Sequence, residues 1–269
     1  MDETPRNPGS LGTAVAGLFY PRQPAELRRQ VESLLAGGPP PADPPPRALM
    51  VPHAGYPYSG AVAAAAYRLL QPGARRIRRV VLLGPSHRVL FDGLAVPASD
   101  YVTTPLGSIP VDTALRERAL GLPGVKAADV AHQHEHSLEV QLPFLQVLLP
   151  GFTVLPIVVG EATDREVFAL LESLPLEEPD TLLVVSTDLS HYHDYDTAQG
   201  LDRESLDEIL ALSPQVLDGE HACGFRPLRA LLLWARGQGL TPRLLDARNS
   251  GDTAGDRHRV VGYAAVSFA

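Results

Sequence analysis

The chain holds one cysteine, Cys223, among its 269 residues. A disulfide within the chain is therefore impossible, and a zinc site built from four cysteines is excluded. Basic residues are also in deficit. Lysine and arginine number 23 against 31 acidic residues, a formal net charge of -8, which argues against a nucleic-acid backbone as partner. No apolar run reaches the length that crosses a bilayer. The opening MDETPRNPGSLG lacks the basic-then-apolar pattern of a secretory signal, so the expectation is a cytoplasmic protein that touches no membrane. The motif inventory is thin as well. There is no G-x-S-x-G elbow, no H-E-x-x-H, no P-loop, and no G-x-G-x-x-G after a strand, so no nucleotide cofactor is expected and a serine hydrolase is disfavoured.

What is present is an ordinary balance for a folded core, 45% hydrophobic and 20% charged. Proline concentrates in GGPPPADPPPR, residues 37–47, which reads as a semi-rigid surface insert. The stretch before it is too short for a core of its own, so the expectation is one domain over residues 1–269. Continuous apolar runs of the buried-strand type occur in RALMV, RRVVLLG, FTVLPIVVG, DTLLVVSTD and HRVVGYAAVSFA. DGLAVP and TPRLLDARN are weaker strand candidates. Helical periodicity marks PAELRRQVESLL, with Pro24 in its first turn, and SGAVAAAAYRLL, with Ser59 as N-cap. HSLEVQLPFLQVLL, DREVFALLESL, DRESLDEILAL and the segment after Cys223 show the same period. The alternation predicts an α/β sheet with helices on both faces.

Three of the strand candidates end alike. RALMV runs into His53, RRVVLLG into His87, and TLLVVST into Asp188 and His191. If these strands are parallel neighbours, their imidazoles collect at the carboxyl edge of the sheet, where such folds bind ligands. Neutral imidazole is the commonest metal ligand. Cys223 is a candidate further donor, since a thiol beside a helix N-terminus has a lowered pKa, although a lone cysteine is more often a small buried hydrophobe. In AHQHEHSLEVQLPFL, His132 and His134 read as loop residues, while His136 and Glu139 would share a helical face and line a site. Asp188 lies three residues before His191, a spacing at which a carboxylate can orient an imidazole for acid/base work. Asn249 to Thr253 read as a tight polar turn before the last strand.

Taken in order, AGLFYP, VPHAGYPYSG, LLGPSH, EHSLEVQLPFLQ, STDLSHYHDY, ACGFRPL and NSGDTAGDRHRVVGYAA resemble the motifs of the Memo-like family, whose bacterial members are called AmmeMemoRadiSam system protein B. The resemblance spans nearly the whole chain. It implies a fold like that of class III extradiol dioxygenases and a metal held by His53, His87 and Cys223, with His191 as the nearby acid/base group; Asp188, by the spacing noted above, would orient it. Iron or copper is the implied metal, with zinc also compatible with the donors. Tyr56, Tyr58 and Tyr192, with His136 and Glu139, would contact an unknown small molecule or peptide. The implied function is a redox or oxygenase-type enzyme associated with radical-SAM and AMMECR-type proteins. The alternatives are a phosphopeptide-binding protein and a copper or iron buffer that use the same pocket.

Overall fold

The computed structural model describes residues 9–37 and 45–269. The centre of the proline-rich insert, residues 38–44, lies outside the described residues, as does the segment 1–8. In chain order, a short strand β1 (Ser10–Leu11) precedes helix α1 (Pro24–Leu35). Strand β2 (Ala48–Val51) leads into α2 (Tyr56–Tyr67), and β3 (Arg79–Pro85) follows. Short elements come next: β4 (Leu94–Val96), β5 (Tyr101–Thr104), β6 (Gly107–Pro110), α3 (Thr113–Leu120), β7 (Val125–Ala127) and α4 (Asp129–His132). The remainder is α5 (Leu142–Leu148), β8 (Thr153–Val159), α6 (Asp164–Ser173), β9 (Thr181–Ser186), β10 (His191–His193), α7 (Tyr195–Leu210), α8 (Phe225–Gly237), β11 (Pro242–Asn249) and β12 (Val260–Phe268).

Nine strands form the main sheet, in the order β10-β12-β2-β9-β3-β8-β4-β7, with β11 paired to β12. Its centre, β2-β9-β3-β8, is parallel. β12 runs antiparallel to β2, and β4 antiparallel to β8, so the sheet is mixed at its flanks. A small second sheet, β1-β5-β6, lies apart. Every expected strand is present. The short strands β1, β5, β6, β7 and β10 are additions that a periodicity reading misses, because two to four residues carry too little pattern.

The central strands are buried on both faces, as their unbroken apolar runs require. Alternate residues go to opposite sides. Leu49, Val80, Leu82, Leu182 and Val184 join one apolar layer with Leu27 and Val31 of α1, Val62 and Tyr67 of α2, and Phe144 of α5. Met50, Val81, Leu83, Leu183 and Val185 join the other with Leu115 of α3, Leu170 of α6 and Leu231 of α8. The two-faced α/β arrangement expected from the alternation is thus the observed one.

Two local expectations change. α2 begins at Tyr56 with Gly55 at its N-cap, three residues before Ser59, whose hydroxyl instead donates back to the Ala54 carbonyl at 2.9 Å. Pro57 in the first turn suits that earlier start, because its missing N–H is not needed there. The segment after His136 is a 3-10 turn, Glu139–Gln141, before α5 begins at Leu142, so His136 and Glu139 do not sit on one regular helix. Among the described residues, no helix is long and apolar enough to cross a membrane.

Candidate metal centre

The three strands that run into histidines are β2, β9 and β3, and they are consecutive, parallel neighbours. Their carboxyl ends therefore open on one edge. His53 follows β2 and is buried, 1% exposed. His87 follows β3. The ring centroids of His53 and His87 are 5.1 Å apart. A third imidazole, His136, stacks on His87 at 4.6 Å and meets His53 edge-on at 5.4 Å. One ring nitrogen from each of the three lies within 4.8 Å of the others, an arrangement that can hold a metal ion.

The polar surroundings of His53 fix its tautomer. Its Nδ1 lies 3.0 Å from Ser186 Oγ. That hydroxyl has one proton and two acceptor sites. The proton is committed to the Ser137 carbonyl, 2.6 Å away, since a carbonyl oxygen only accepts. One acceptor site takes the Gln141 Nε2 proton at 2.9 Å. The Gln141 amide is itself oriented, because Nε2 also donates to the Pro52 carbonyl at 2.9 Å while Oε1 accepts from Tyr67 Oη at 3.0 Å. The remaining site on Ser186 must accept from His53, so Nδ1 carries the hydrogen. Burial, and the neighbouring His87, His136 and His191, hold the His53 pKa well below the ordinary histidine value. The ring is neutral, and Nε2 bears a lone pair. The Cys223 Sγ lies 3.3 Å from that Nε2.

His87 and His136 belong to a second network centred on Glu135. One carboxylate oxygen accepts the His87 backbone N–H at 2.6 Å. The other faces His87 Nδ1 at 2.9 Å and accepts the backbone N–H groups of His136 and Ser137, each at 2.9 Å. Burial alone would raise this acid, but the hydrogen bonds from His87 and Ser137 outweigh it and hold the carboxyl at about 2. His136 is neutral as well, its pKa lowered by burial to about 4. Its Nδ1 is buried without a hydrogen-bond partner and stands 3.5 Å from Glu135 Oε1. Phe19, from the segment between β1 and α1, packs edge-on against the His136 ring at 5.0 Å.

Cys223 immediately precedes the N-terminus of α8. Its thiol accepts the Asp188 backbone N–H at 3.4 Å and lies 3.8 Å from Thr187 Oγ1. The helix end was expected to lower its pKa. Burial and the adjacent Asp188 carboxylate act the other way, and push it up to about 12. A bound cation would reverse that balance, since a coordinated thiol gives up its proton. Asp188 is buried, and burial lifts its carboxyl to about 7 against the stabilising His53 N–H, which it accepts at 2.7 Å. The carboxylate thus fastens the His53 backbone. No hydrogen bond from it to His191 occurs among the described residues. His191 begins β10, and its pKa is lowered mainly by burial, with His87 contributing.

The remaining expected contact residues separate into two groups. Tyr58 and Tyr192 are exposed, 40% and 63% respectively, and Tyr192 takes a left-handed backbone (φ 63°) that non-glycine residues rarely adopt. Tyr56 and Glu139 are buried and already engaged. The Tyr56 hydroxyl donates to the Val140 carbonyl at 2.8 Å. Glu139 accepts from the backbone N–H groups of Ala14 and Val15 and from the Tyr20 hydroxyl, which fastens the N-terminal segment over the sheet. Reading by residue type passed over Glu135, Ser186 and Gln141. The signal for Glu135 was its place between His134 and His136; Ser186 and Gln141 carry none that a sequence displays.

A family model described as Memo-like protein matches residues 12–267. A MEMO1 family protein of Aquifex aeolicus is 38% identical over 270 residues, covering 95% of this chain and 97% of its own. A second, from Methanopyrus kandleri, is 36% identical over 276 residues, with 95% and 97% covered. Among solved structures, an uncharacterized protein of Escherichia coli K12 is similar with a TM-score of 0.56 at 14% identity, over 82% of this chain and 99% of that one. At that identity the likeness concerns the fold alone.

Proposed function

Since the chain belongs to the Memo-like protein family, we propose that it is a metal-dependent redox protein of the oxygenase type, with its metal at the carboxyl edge of the central parallel strands. The observation that carries this reading is the tautomer of His53. Its Nδ1 is committed to Ser186, so its Nε2 lone pair is left for a metal; two further imidazoles complete a three-histidine cluster, and the Cys223 thiol lies 3.3 Å from that Nε2. Neutral imidazoles with deprotonatable sulfur are the donor chemistry of iron, copper and zinc sites.

In this proposal His53, His87 and Cys223 hold the metal, and His136 stands beside them as a further donor or a contact to substrate. Iron or copper bound there supplies a Lewis acid and a one-electron couple. The chain's own residues do the rest. Asp188 anchors the His53 backbone. His191, neutral through burial, is the group that takes or returns a proton at the substrate. Tyr58 and Tyr192 offer exposed aromatic faces at the approach. The class III extradiol dioxygenase likeness of the fold is part of this proposal. It fits a site at strand ends with histidines from separate elements.

X-ray absorption of anaerobically reconstituted protein tests the reading. The expected shell contains nitrogen scatterers and one sulfur, with the sulfur lost in Cys223→Ser and the shell unchanged in His191→Ala. A shell of oxygen scatterers alone would refute it.

A further inference from the structure

We infer that Glu135 and Ser186 are the positioning residues of the metal site: each holds the Nδ1–H of one ligand histidine, so that both rings present Nε2 to the same point. The inference rests on the metal reading above and adds what selects the ligating atom.

An imidazole has two nearly equivalent nitrogens, and either can carry the hydrogen. A ligand ring that is free to exchange tautomers offers the wrong nitrogen for part of the time. It also loses rotational freedom when metal binds. Outer hydrogen bonds remove both costs before the metal arrives. His53 and His87 have such bonds, but of unlike kinds. His87 donates to a carboxylate at 2.9 Å. His53 donates to a neutral hydroxyl at 3.0 Å.

Both devices converge on one stretch of chain. Glu135 holds His87 by backbone and ring together. Ser137 supplies the carbonyl that consumes the Ser186 proton, and its own hydroxyl donates to the Pro85 carbonyl at 3.0 Å, at the end of β3. Gln141 fills a further lone pair of Ser186 and ties down the Pro52 carbonyl, next to His53. Residues 135–141 therefore grip the carboxyl ends of β2, β3 and β9 at once. Ser137, Gln141 and Ser186 are all fully buried, and every hydrogen-bonding group in the His53 relay has a partner, as a polar network in a core must. Removal of either positioning group leaves its ring able to turn or to exchange its proton.

The test reads tautomer and affinity separately. Long-range proton–nitrogen correlation spectra of histidine-labelled, metal-free protein report which ring nitrogen carries hydrogen, and titration with Zn(II) as probe reports affinity. Wild type is expected to show His53 and His87 as Nδ1–H tautomers. Ser186→Ala should mix the tautomers of His53 and leave His87 unchanged. Glu135→Gln should alter the His87 signals and leave His53 unchanged. Each variant should weaken Zn(II) binding by about 10- to 100-fold while remaining folded by circular dichroism. Nε2–H on either ring of a wild type that binds Zn(II) would overturn the assignment, as would variants that bind Zn(II) like wild type. Nδ1–H tautomers in a wild type that binds no Zn(II) would instead overturn the metal reading on which the role rests.

Discussion

In the metal-free protein the buried histidines lower stability as the medium becomes mildly acid, and His132 allows the size of the effect to be worked out. Its Nε2 donates to the Ala95 carbonyl at 3.1 Å, and burial lowers its pKa to about 4, from 6.5 in an unperturbed chain. Between those values the unfolded chain binds a proton that the folded chain refuses, so stability falls as pH drops through that window. The gap, at about 1.4 kcal/mol per pH unit, corresponds to about 3 kcal/mol. His136, lowered by burial to about 4, adds a similar amount, and His53 acts in the same direction. Two such groups together approach the lower end of an ordinary domain's stability, about 5–15 kcal/mol, while Asp188, raised by burial to about 7, acts in the opposite direction. The assay is urea unfolding of chelator-treated protein between pH 7 and pH 4.5, for wild type and His132→Gln. Glutamine can still donate to Ala95 but cannot take up a proton. The variant should lose much less stability than wild type over that range. Equal pH dependence in the two proteins would refute the argument.

Three further outcomes follow from the contacts. Tyr56→Phe removes a buried hydrogen bond to Val140 and should cost about 1–3 kcal/mol in urea unfolding, with Zn(II) affinity unchanged. Glu139→Ala releases Ala14, Val15 and Tyr20 together, so amide exchange in residues 10–21 should accelerate well before exchange in α1. Gly224→Ala would set a methyl group 2.7 Å from Thr187 Cβ. It should displace the neighbouring Cys223 and weaken the binding of thiol-preferring Cu(I) more than that of Zn(II), as competition with a chelator would measure.

The layout of the sheet was legible because its central strands are buried on both faces and so read as unbroken apolar runs. The rule that ligands gather at carboxyl ends then brought His53 and His87 together across β2, β9 and β3, although they are 34 residues apart in sequence. The direction in which each side chain turns was not legible. His136 and Glu139 have helical spacing, but no regular helix joins them, because Glu139 itself opens the 3-10 turn. One reaches the imidazole cluster, and the other reaches the N-terminal segment. Tyr56 and Tyr58 differ by two residues on α2, and only the second is exposed. Ser186 is an ordinary strand-end serine until the partners of its hydroxyl are counted. The thiol of Cys223 shows the same limit in energetic form. Its place before a helix was readable, but the burial and the carboxylate that outweigh the helix end are tertiary facts.

The central claim is that one metal ion sits among His53, His87 and Cys223. The most direct measurement is an anomalous difference map from crystals of protein purified and reconstituted without oxygen, with data collected on both sides of the iron or copper absorption edge. The account predicts a single strong peak within bonding distance of His53 Nε2 and Cys223 Sγ. A peak elsewhere on the molecule, or none at full loading, would contradict it.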